Sequence, residues 1–445
     1  MVAERLAALR ALLKSYCLDA YLIATADEHL NEYPLPNRLR RQWISGFSGS
    51  AGDLLVGLES AWLFVDSRYH EQAEQQVDPQ YVAVSKLGLE GALTLEQIVS
   101  QSQWQRLGLD PWTTTIEQSH RWQEHCALHG GELVPVTPNL VDILRDPAEL
   151  TPSAQPLRAL PESLTGAAVA NKLAAVRSQM QHHNAAILPV TKLDQIAWLF
   201  NLRGQDIPHN PVFLAYAIVT LDSAYLFRDA IDGAIAAQLP GIEILPYDQY
   251  EVVLAGLATT GDRLLLAPRQ TTWGTQLLLK EVPAHWQEAE HPIEQLKARK
   301  NAIELAQMRA ANLKASYAKT LTLMWVETET QAGKHLSERD VADYIEALYA
   351  QSEGYIELSF PTIAGVGANS SIVHYGNPSA TVALTPGSLL LLDSGCQFWG
   401  GTTDDTRATI IGSATDEQKK RYTAVLKSHI NCARQIFPRG PPVAN

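Results

Sequence analysis

The chain carries one twelve-residue pattern twice, and this duplication constrains its fold more than any other feature. Leu55-Val-Gly-Leu-Glu-Ser-Ala-Trp-Leu-Phe-Val-Asp66 aligns without a gap with Ile218-Val-Thr-Leu-Asp-Ser-Ala-Tyr-Leu-Phe-Arg-Asp229, and seven of the twelve positions are identical. Each copy reads as a hairpin: a strand, an acidic-Ser turn, and a second strand closing on Asp. Upstream of each lies a helical segment and then a β-rich run, Asp19-Ala-Tyr-Leu-Ile-Ala-Thr25 and Asn184-Ala-Ala-Ile-Leu-Pro-Val-Thr191. Because the upstream order also matches, two unrelated hairpins converging by chance is the weaker explanation. The chain is expected to open with two related units of the α/β (α+β) class.

Two seams bound these units. Pro135, Pro138, Pro147, Pro152, Pro156 and Pro161 crowd one stretch, which suits an extended connector better than an element interior. A second break falls between Pro283 and Pro292. The expected division is 1–150, 151–292 and 293–445. The third unit starts with a helical pattern from Ile293, in which Ile303, Met308 and Ala311 could share an inner face. Another helix opens at Ser337-Glu-Arg-Asp340, a capping box with Asp in place of Glu. Strand-rich sequence follows from Ser359 to Gly412, and a last helix is expected from Asp416 to Phe437.

Composition narrows the function classes. With 445 residues there is ample material for buried cores in two or three domains. A net charge of −13, from 35 basic against 48 acidic residues, argues against a general nucleic-acid binder. No apolar run is long enough to cross a bilayer, and the first residues lack the apolar core of a signal peptide. Cys17, Cys126, Cys396 and Cys432 lie far apart and form no CxxC pattern. Free thiols in a reducing cytoplasm are the expectation.

The chemistry is concentrated in Leu389-Leu-Leu-Leu-Asp-Ser-Gly-Cys-Gln-Phe-Trp-Gly-Gly-Thr-Thr-Asp-Asp-Thr-Arg407, which sets Asp393 and Asp404 eleven positions apart. The two are expected on strands joined by a short Gly-containing turn. The apolar run before Asp393 predicts a strand buried on both faces, where a carboxylate is costly unless paired or bound to a cation. Asp405 should point to the opposite face from Asp404. Spacing alone leaves two readings open, metal ligation by Asp393 and Asp404 or a hairpin held by Asp and Thr hydrogen bonds.

Leu392-Asp-Ser-Gly with Thr402-Thr-Asp-Asp-Thr-Arg407 resembles the metal hairpin of the pita-bread metallopeptidases. Leu358-Ser-Phe-Pro-Thr-Ile and Ser371-Ile-Val-His-Tyr375 resemble aminopeptidase P, which removes an N-terminal residue preceding proline. Ile44-Ser-Gly-Phe-Ser-Gly-Ser-Ala-Gly52, Leu193-Asp-Gln-Ile-Ala-Trp-Leu-Phe-Asn-Leu-Arg-Gly204 and His209-Asn-Pro-Val-Phe213 narrow the resemblance to the three-domain cytosolic type. It covers nearly the whole chain in the family's order. It implies two creatinase-like N-terminal domains with mixed sheets, followed by an incomplete pita-bread catalytic domain.

The resemblance further implies that Asp393 chelates one divalent cation terminally and Asp404 bridges two, most often manganese. A hydroxide held between the metals would attack the scissile carbonyl while the metals stabilise the oxyanion. His374 matches a family histidine that contacts substrate near the scissile bond, and Arg68 one that reaches toward the cleft. The implied partner is a proline-containing peptide, with neither nucleic acid nor membrane, in the cytoplasm. Members of the family often dimerise through the catalytic domain. Cys396 stands where the family has a small residue and reads as a packed thiol, while Gly400 replaces a common aspartate. His182-His183 reads as solvated and His209 as a packing residue. Two alternatives stay open: an Xaa-Pro dipeptidase or creatinase-like hydrolase, and a non-catalytic pita-bread interaction protein.

The family's site has five protein ligands, and its histidine and two glutamates come from the second half of the pita-bread domain. Here the match runs to Arg439-Gly440 and turns into Pro-Pro-Val-Ala-Asn445. The expectation is a truncated or frameshifted reading frame that binds metal weakly and leaves Leu426, Ala433 and Phe437 partly uncovered. Limited proteolysis is expected to leave a stable N-terminal fragment ending near residues 283–297, and its absence on a gel would overturn that division.

Overall fold

The computed structural model describes residues 2–151 and 154–436. They fall into two compact units, Met1–Ala311 with Gln397–Thr402, and Asn312–Cys396 with Thr403–Asn445. The expected departure at residues 439–445 and the expected covering of Phe437 lie outside the described residues.

In the first unit, six strands form one sheet: β1 (Ala20–Ile23), β2 (Asp53–Gly57), β3 (Ala61–Val65), β4 (Ala83–Lys86), β5 (Arg106–Leu109) and β6 (Glu132–Pro135). A second sheet follows with β7 (Ile187–Val190), β8 (Tyr216–Thr220), β9 (Ala224–Phe227), β10 (Glu243–Leu245), β11 (Arg263–Leu266) and β12 (His285–Glu288). Their strand orders, β4-β3-β2-β1-β5-β6 and β10-β9-β8-β7-β11-β12, are the same. Both sheets are mixed: β1 runs antiparallel to β2 and parallel to β5, as β7 does to β8 and β11.

The duplication is kept in register down to single residues. Val56 pairs with Ala61 across the first hairpin, and Val219 with Ala224 across the second. Each turn closes through equivalent bonds, Gly57 N–H to Ser60 O at 2.8 Å and Thr220 N–H to Ser223 O at 2.9 Å. Since strand side chains alternate, equivalent residues face equivalent cores. Leu54, Val56 and Leu63 pack on one face of the first sheet, as Ala217, Val219 and Leu226 do on the second. Leu55 and Phe64 face the other way, as do Ile218 and Phe227.

The repeats also exchange residues. Ile116 N–H donates to Thr271 O at 3.1 Å, and Trp273 N–H donates to Thr114 O at 2.8 Å. Ile116 thereby joins the core beneath the second sheet, while Trp273 joins that of the first.

The first seam is less extended than its prolines suggest. It contains the short helices Leu140–Ile143, Pro147–Leu150 and Glu162–Thr165, and Pro147 starts one of them at a position where its missing N–H costs nothing. The second seam holds the helix Pro292–Ala298, whose Ile293 is wholly buried in the core with Leu173 and Val190. Asn301 and Glu304 then cap the helix Ala302–Gln331 reciprocally, each side chain accepting the other's backbone N–H at 2.9 Å. Its inner face differs from the expected one. Ala311, Ala315, Ala318, Thr322 and Val326 are buried, whereas Ile303 is 42% exposed because it lies in the first turn on the outer side.

In the second unit the helix Glu338–Ala350 begins with the expected capping box on Ser337 and Asp340. Strands β13 (Ile363–Val366), β14 (Leu389–Ser394) and β15 (Asp405–Ile410) form an antiparallel sheet in the order β13-β14-β15. The last helix, Asp416–Ala433, is capped by Thr415 and Gln418 and has no buried residue. Tyr422, Val425, Leu426 and Ile430 lie exposed along it. No helix among the described residues is long and apolar enough to cross a membrane. All four cysteines are free thiols.

His291, at the second seam, is buried, and burial pushes its pKa down to about 4, against the pull of Glu294 and Asp194. Its folded value lies below its unfolded one, so the stability it confers is full above pH 6.5 and is lost as pH falls toward 4. The loss between pH 7 and pH 4.5 should be roughly 2.5 kcal/mol. Urea unfolding of His291→Phe at both pH values should show an acid-induced loss smaller by about that amount; an unchanged loss would refute this reading.

Candidate metal centre

Strand β14 is less enclosed than its apolar run predicts. Leu390, Leu392 and Ser394 are fully buried, while Leu389, Leu391 and Asp393 on the other face are half-covered. A strand of the central position in an antiparallel sheet can thus hold Asp393 at the edge of its more open face. Asp393 pairs with Ile363 of β13 and Thr406 of β15. The connection to β15 is not one short turn. It contains its own ribbon, in which Gln397 and Phe398 pair with Thr402 and Gly401, and Asp404 lies just ahead of β15.

The ends of this connection are drawn tightly together. Thr403 N–H donates to Cys396 O at 2.9 Å, Cys396 N–H donates to Thr403 Oγ1 at 3.0 Å, and Ser359 Oγ donates to Thr403 O at 2.8 Å. A side chain at Gly395 would put a Cβ 2.0 Å from Thr403 O, so only glycine allows this approach. Cys396 is buried, and burial pushes its thiol up to about 11, which makes it the inert packed thiol expected. Gly400 faces Gln307, whose Cβ lies 2.7 Å from where a side chain would begin. The glutamine occupies the space that an aspartate at this position needs.

The two carboxylates meet beyond that closure. Asp404 is exposed, yet partial shielding first, and then the charge of Asp393, hold its pKa above the ordinary aspartate value; Lys319 and His374 oppose them. Asp393 Oδ1 is buried with no hydrogen-bond partner among the described residues. A buried carboxylate oxygen is costly in that state, and a second carboxylate nearby raises the cost further. A hard divalent cation would relieve both, since carboxylate oxygens are its preferred ligands. The residues fit such an ion, but they supply only two ligands. Among the described residues no group of three or more His, Cys, Asp or Glu could hold a metal.

Asp405, the first residue of β15, is claimed by Lys319. The ammonium lies 2.9 Å from Asp405 Oδ1 and donates to the carbonyls of Ser394, at 3.2 Å, and of Asp405. Ser394 and Asp405 are opposed in the β14–β15 register, so one buried lysine ties the two strands one residue beyond each candidate ligand. Ser394 Oγ in turn lies 2.9 Å from Tyr349 Oη.

His374 sits half-buried in a turn. The next residue anchors that turn, with Tyr375 Oη donating to Glu338 Oε2 at 2.8 Å. Glu338 is fully buried and also accepts from the N–H groups of Val366 and Ser379 and from Asn369 Nδ2, at 2.7 to 3.0 Å. Lys319, Tyr349 and Glu338 escape sequence reading. Lys319 lies in a long helix like any solvated lysine, and Glu338 is hidden inside a capping signature.

The structure therefore gathers Asp393, Asp404 and His374 in the second unit. Arg68 belongs to the first. Its guanidinium forms a bidentate pair with Asp66, Nε to Oδ1 at 2.9 Å and Nη2 to Oδ2 at 2.6 Å, and lies 5.4 Å from the Tyr69 ring centroid. His209 also lies in the first unit, where its carbonyl accepts from Gln397 Nε2 at 2.9 Å. His182 and His183 close the helix Val169–His182 and stack edge-on at 5.4 Å.

Comparison with known proteins places this arrangement. Models of the creatinase/prolidase N-terminal domain match residues 5–146 and 148–304, and the model of metallopeptidase family M24 matches residues 306–444. The protein named "Probable Xaa-Pro aminopeptidase P" of Penicillium rubens is 34% identical over 451 residues, covering 98% of this chain and 73% of its own length. Its counterpart in Colletotrichum graminicola is 36% identical over 457 residues, with the same shares. The structure of an X-prolyl aminopeptidase from Caenorhabditis elegans, described as a cytosolic enzyme with a di-nuclear active site, superposes with a TM-score of 0.92 at 29% identity. It covers 99% of this chain and 75% of that one. The chain belongs to the Xaa-Pro aminopeptidase P family, with duplicated creatinase-type domains ahead of a pita-bread metallopeptidase segment.

Removing the lysine should expose its structural role. Lys319→Met leaves Asp405 and two strand carbonyls without their buried donor and should cost about 3 kcal/mol in urea unfolding. Adding Asp405→Leu should recover much of that loss, and purely additive effects of the two changes would exclude the pair as a coupled unit.

Proposed function

We propose that this chain is a metallo-exopeptidase segment that acts on peptides with proline in the second position and releases the residue before it. What carries the reading is the pair of carboxylates, Asp393 and Asp404, held together in a family of metallopeptidases with one oxygen buried and unpartnered. In this reading the modules are 1–150, 151–292 and 293–445, working in the cytoplasm on a proline-containing peptide.

Asp393 would hold one divalent cation and Asp404 would lie between two, with manganese the metal best matched to an oxygen ligand set. Bound there, the cations supply a nucleophile at neutral pH and stabilise charge developing on the scissile carbonyl. The protein's own part is orientation. Lys319 and the Gly395 closure hold the two strands so that the carboxylates converge. His374, anchored through Tyr375 and Glu338, would contact substrate beside the scissile bond. Arg68 is assigned to substrate binding, where its pairing with Asp66 would keep it oriented. Proline lacks an N–H, so recognition of the imide must rest on shape.

A non-catalytic reading draws on one observation: the helix Asp416–Ala433 exposes Tyr422, Val425, Leu426 and Ile430. Release of the first residue from Xaa-Pro-Pro peptides, with and without added manganese, separates the two. Manganese-dependent release that disappears in Asp393→Asn supports the peptidase. Peptide binding without release at saturating manganese supports the alternative. Metal affinity is expected to be weak, and tight stoichiometric uptake of two manganese ions would contradict that.

A further inference from the structure

The first unit contains a cleft of about 390 Å³, a size that accommodates a small organic molecule. Its walls come from the second repeat, the start of the helix Ala302–Gln331 and the ribbon around Trp399. None of the residues assigned to metal or substrate lines it.

The charge in these walls does not balance. Lys172 is only 4% exposed, and its ammonium donates to Trp198 O at 2.8 Å and Asn201 Oδ1 at 2.7 Å, both neutral acceptors. It also lies 4.2 Å from the Trp198 ring centroid. Arg203, half-buried in the same wall, donates through Nη1 to the carbonyls of Ala197 and Leu202. Glu304 is the one carboxylate that acts on both cations, and it is already engaged by Asn301 N–H and Trp198 Nε1–H. The cleft's other carboxylate, Asp194, is paired with Lys297. Lys300 adds a further exposed cation.

Burying two cations against one shared carboxylate is unfavourable. Burial accordingly pulls Lys172 down to about 8 and Arg203 to about 10, with their mutual repulsion adding to the effect on Lys172. Cations retained for packing alone would be expected to have matched partners. Here the excess charge borders an open space.

We infer that this cleft binds a small organic oxyanion, a carboxylate or a phosphate monoester, between Lys172 and Arg203 with Lys300 at the rim. Such a group supplies the charge and the acceptors that the walls lack, in the manner of other oxyanion sites built on paired cations. The site would serve an effector's anionic group, and it does not depend on the metal.

The full chain can be titrated calorimetrically with inorganic phosphate and, separately, with benzoate, using sodium chloride at matched ionic strength as the control. Saturable binding tighter than about 10 mM is expected for at least one probe. The better probe identifies the head group. Glu304→Gln keeps the helix cap but removes the competing charge, and should tighten binding about tenfold. Lys172→Gln should weaken it about tenfold, and Lys300→Glu, a surface change that leaves the core intact, about threefold. Opposite responses to Glu304→Gln and Lys300→Glu are what a purely structural charge cluster would not produce. Absence of saturable binding in both the wild type and Glu304→Gln, or equal affinities in all variants, would overturn the site.

Discussion

Two reciprocal main-chain bonds, Ile116 N–H to Thr271 O and Trp273 N–H to Thr114 O, make the first two repeats one body. Each lets a large apolar side chain leave its own repeat and complete the core of the other. Separating them would expose a tryptophan, an isoleucine and the backbone groups that bond them, which is costly on both hydrophobic and hydrogen-bonding grounds. The duplication therefore does more than repeat a fold, because each repeat completes the core of the other.

In the second unit a different economy operates. Asp393 and Asp404 are brought together against their mutual repulsion, and the opposing stabilisation comes from beside them. Lys319 neutralises Asp405 and binds strand carbonyls, while Gly395 permits an approach no other residue allows. Glu338 satisfies four donors and so anchors the turn that carries His374. A site of this kind is held by buried polar groups whose partners are almost all found. Asp393 Oδ1 is among the few buried oxygens without such a partner among the described residues.

Much of this was legible in the linear chain. The hairpins at Leu55 and Ile218, the Ser337 cap and the hairpin with its two aspartates are local patterns, and local patterns follow from alternation, capping and turn chemistry. Other expectations failed for reasons outside such patterns. Ile303 was placed on an inner face by periodicity, but the helix begins at Ala302 and its buried stripe starts only at Ala311. The run Leu389–Leu392 suggested burial on both faces, yet one face is half-covered. The prolines of the first seam start short helices as well as breaking them.

The sequence by itself determined the repeat and the order of elements, because these depend on residues near one another along the chain. Only the tertiary structure decided which buried charges are paired. Lys319 and Asp405 are 86 positions apart, yet they meet; Lys172 and Arg203 share one carboxylate from a distant helix. Charge balance is a property of neighbours in space, and periodicity carries no information about it. For that reason the duplicated hairpins could be read from the chain, while the cationic cleft could be found only in the fold.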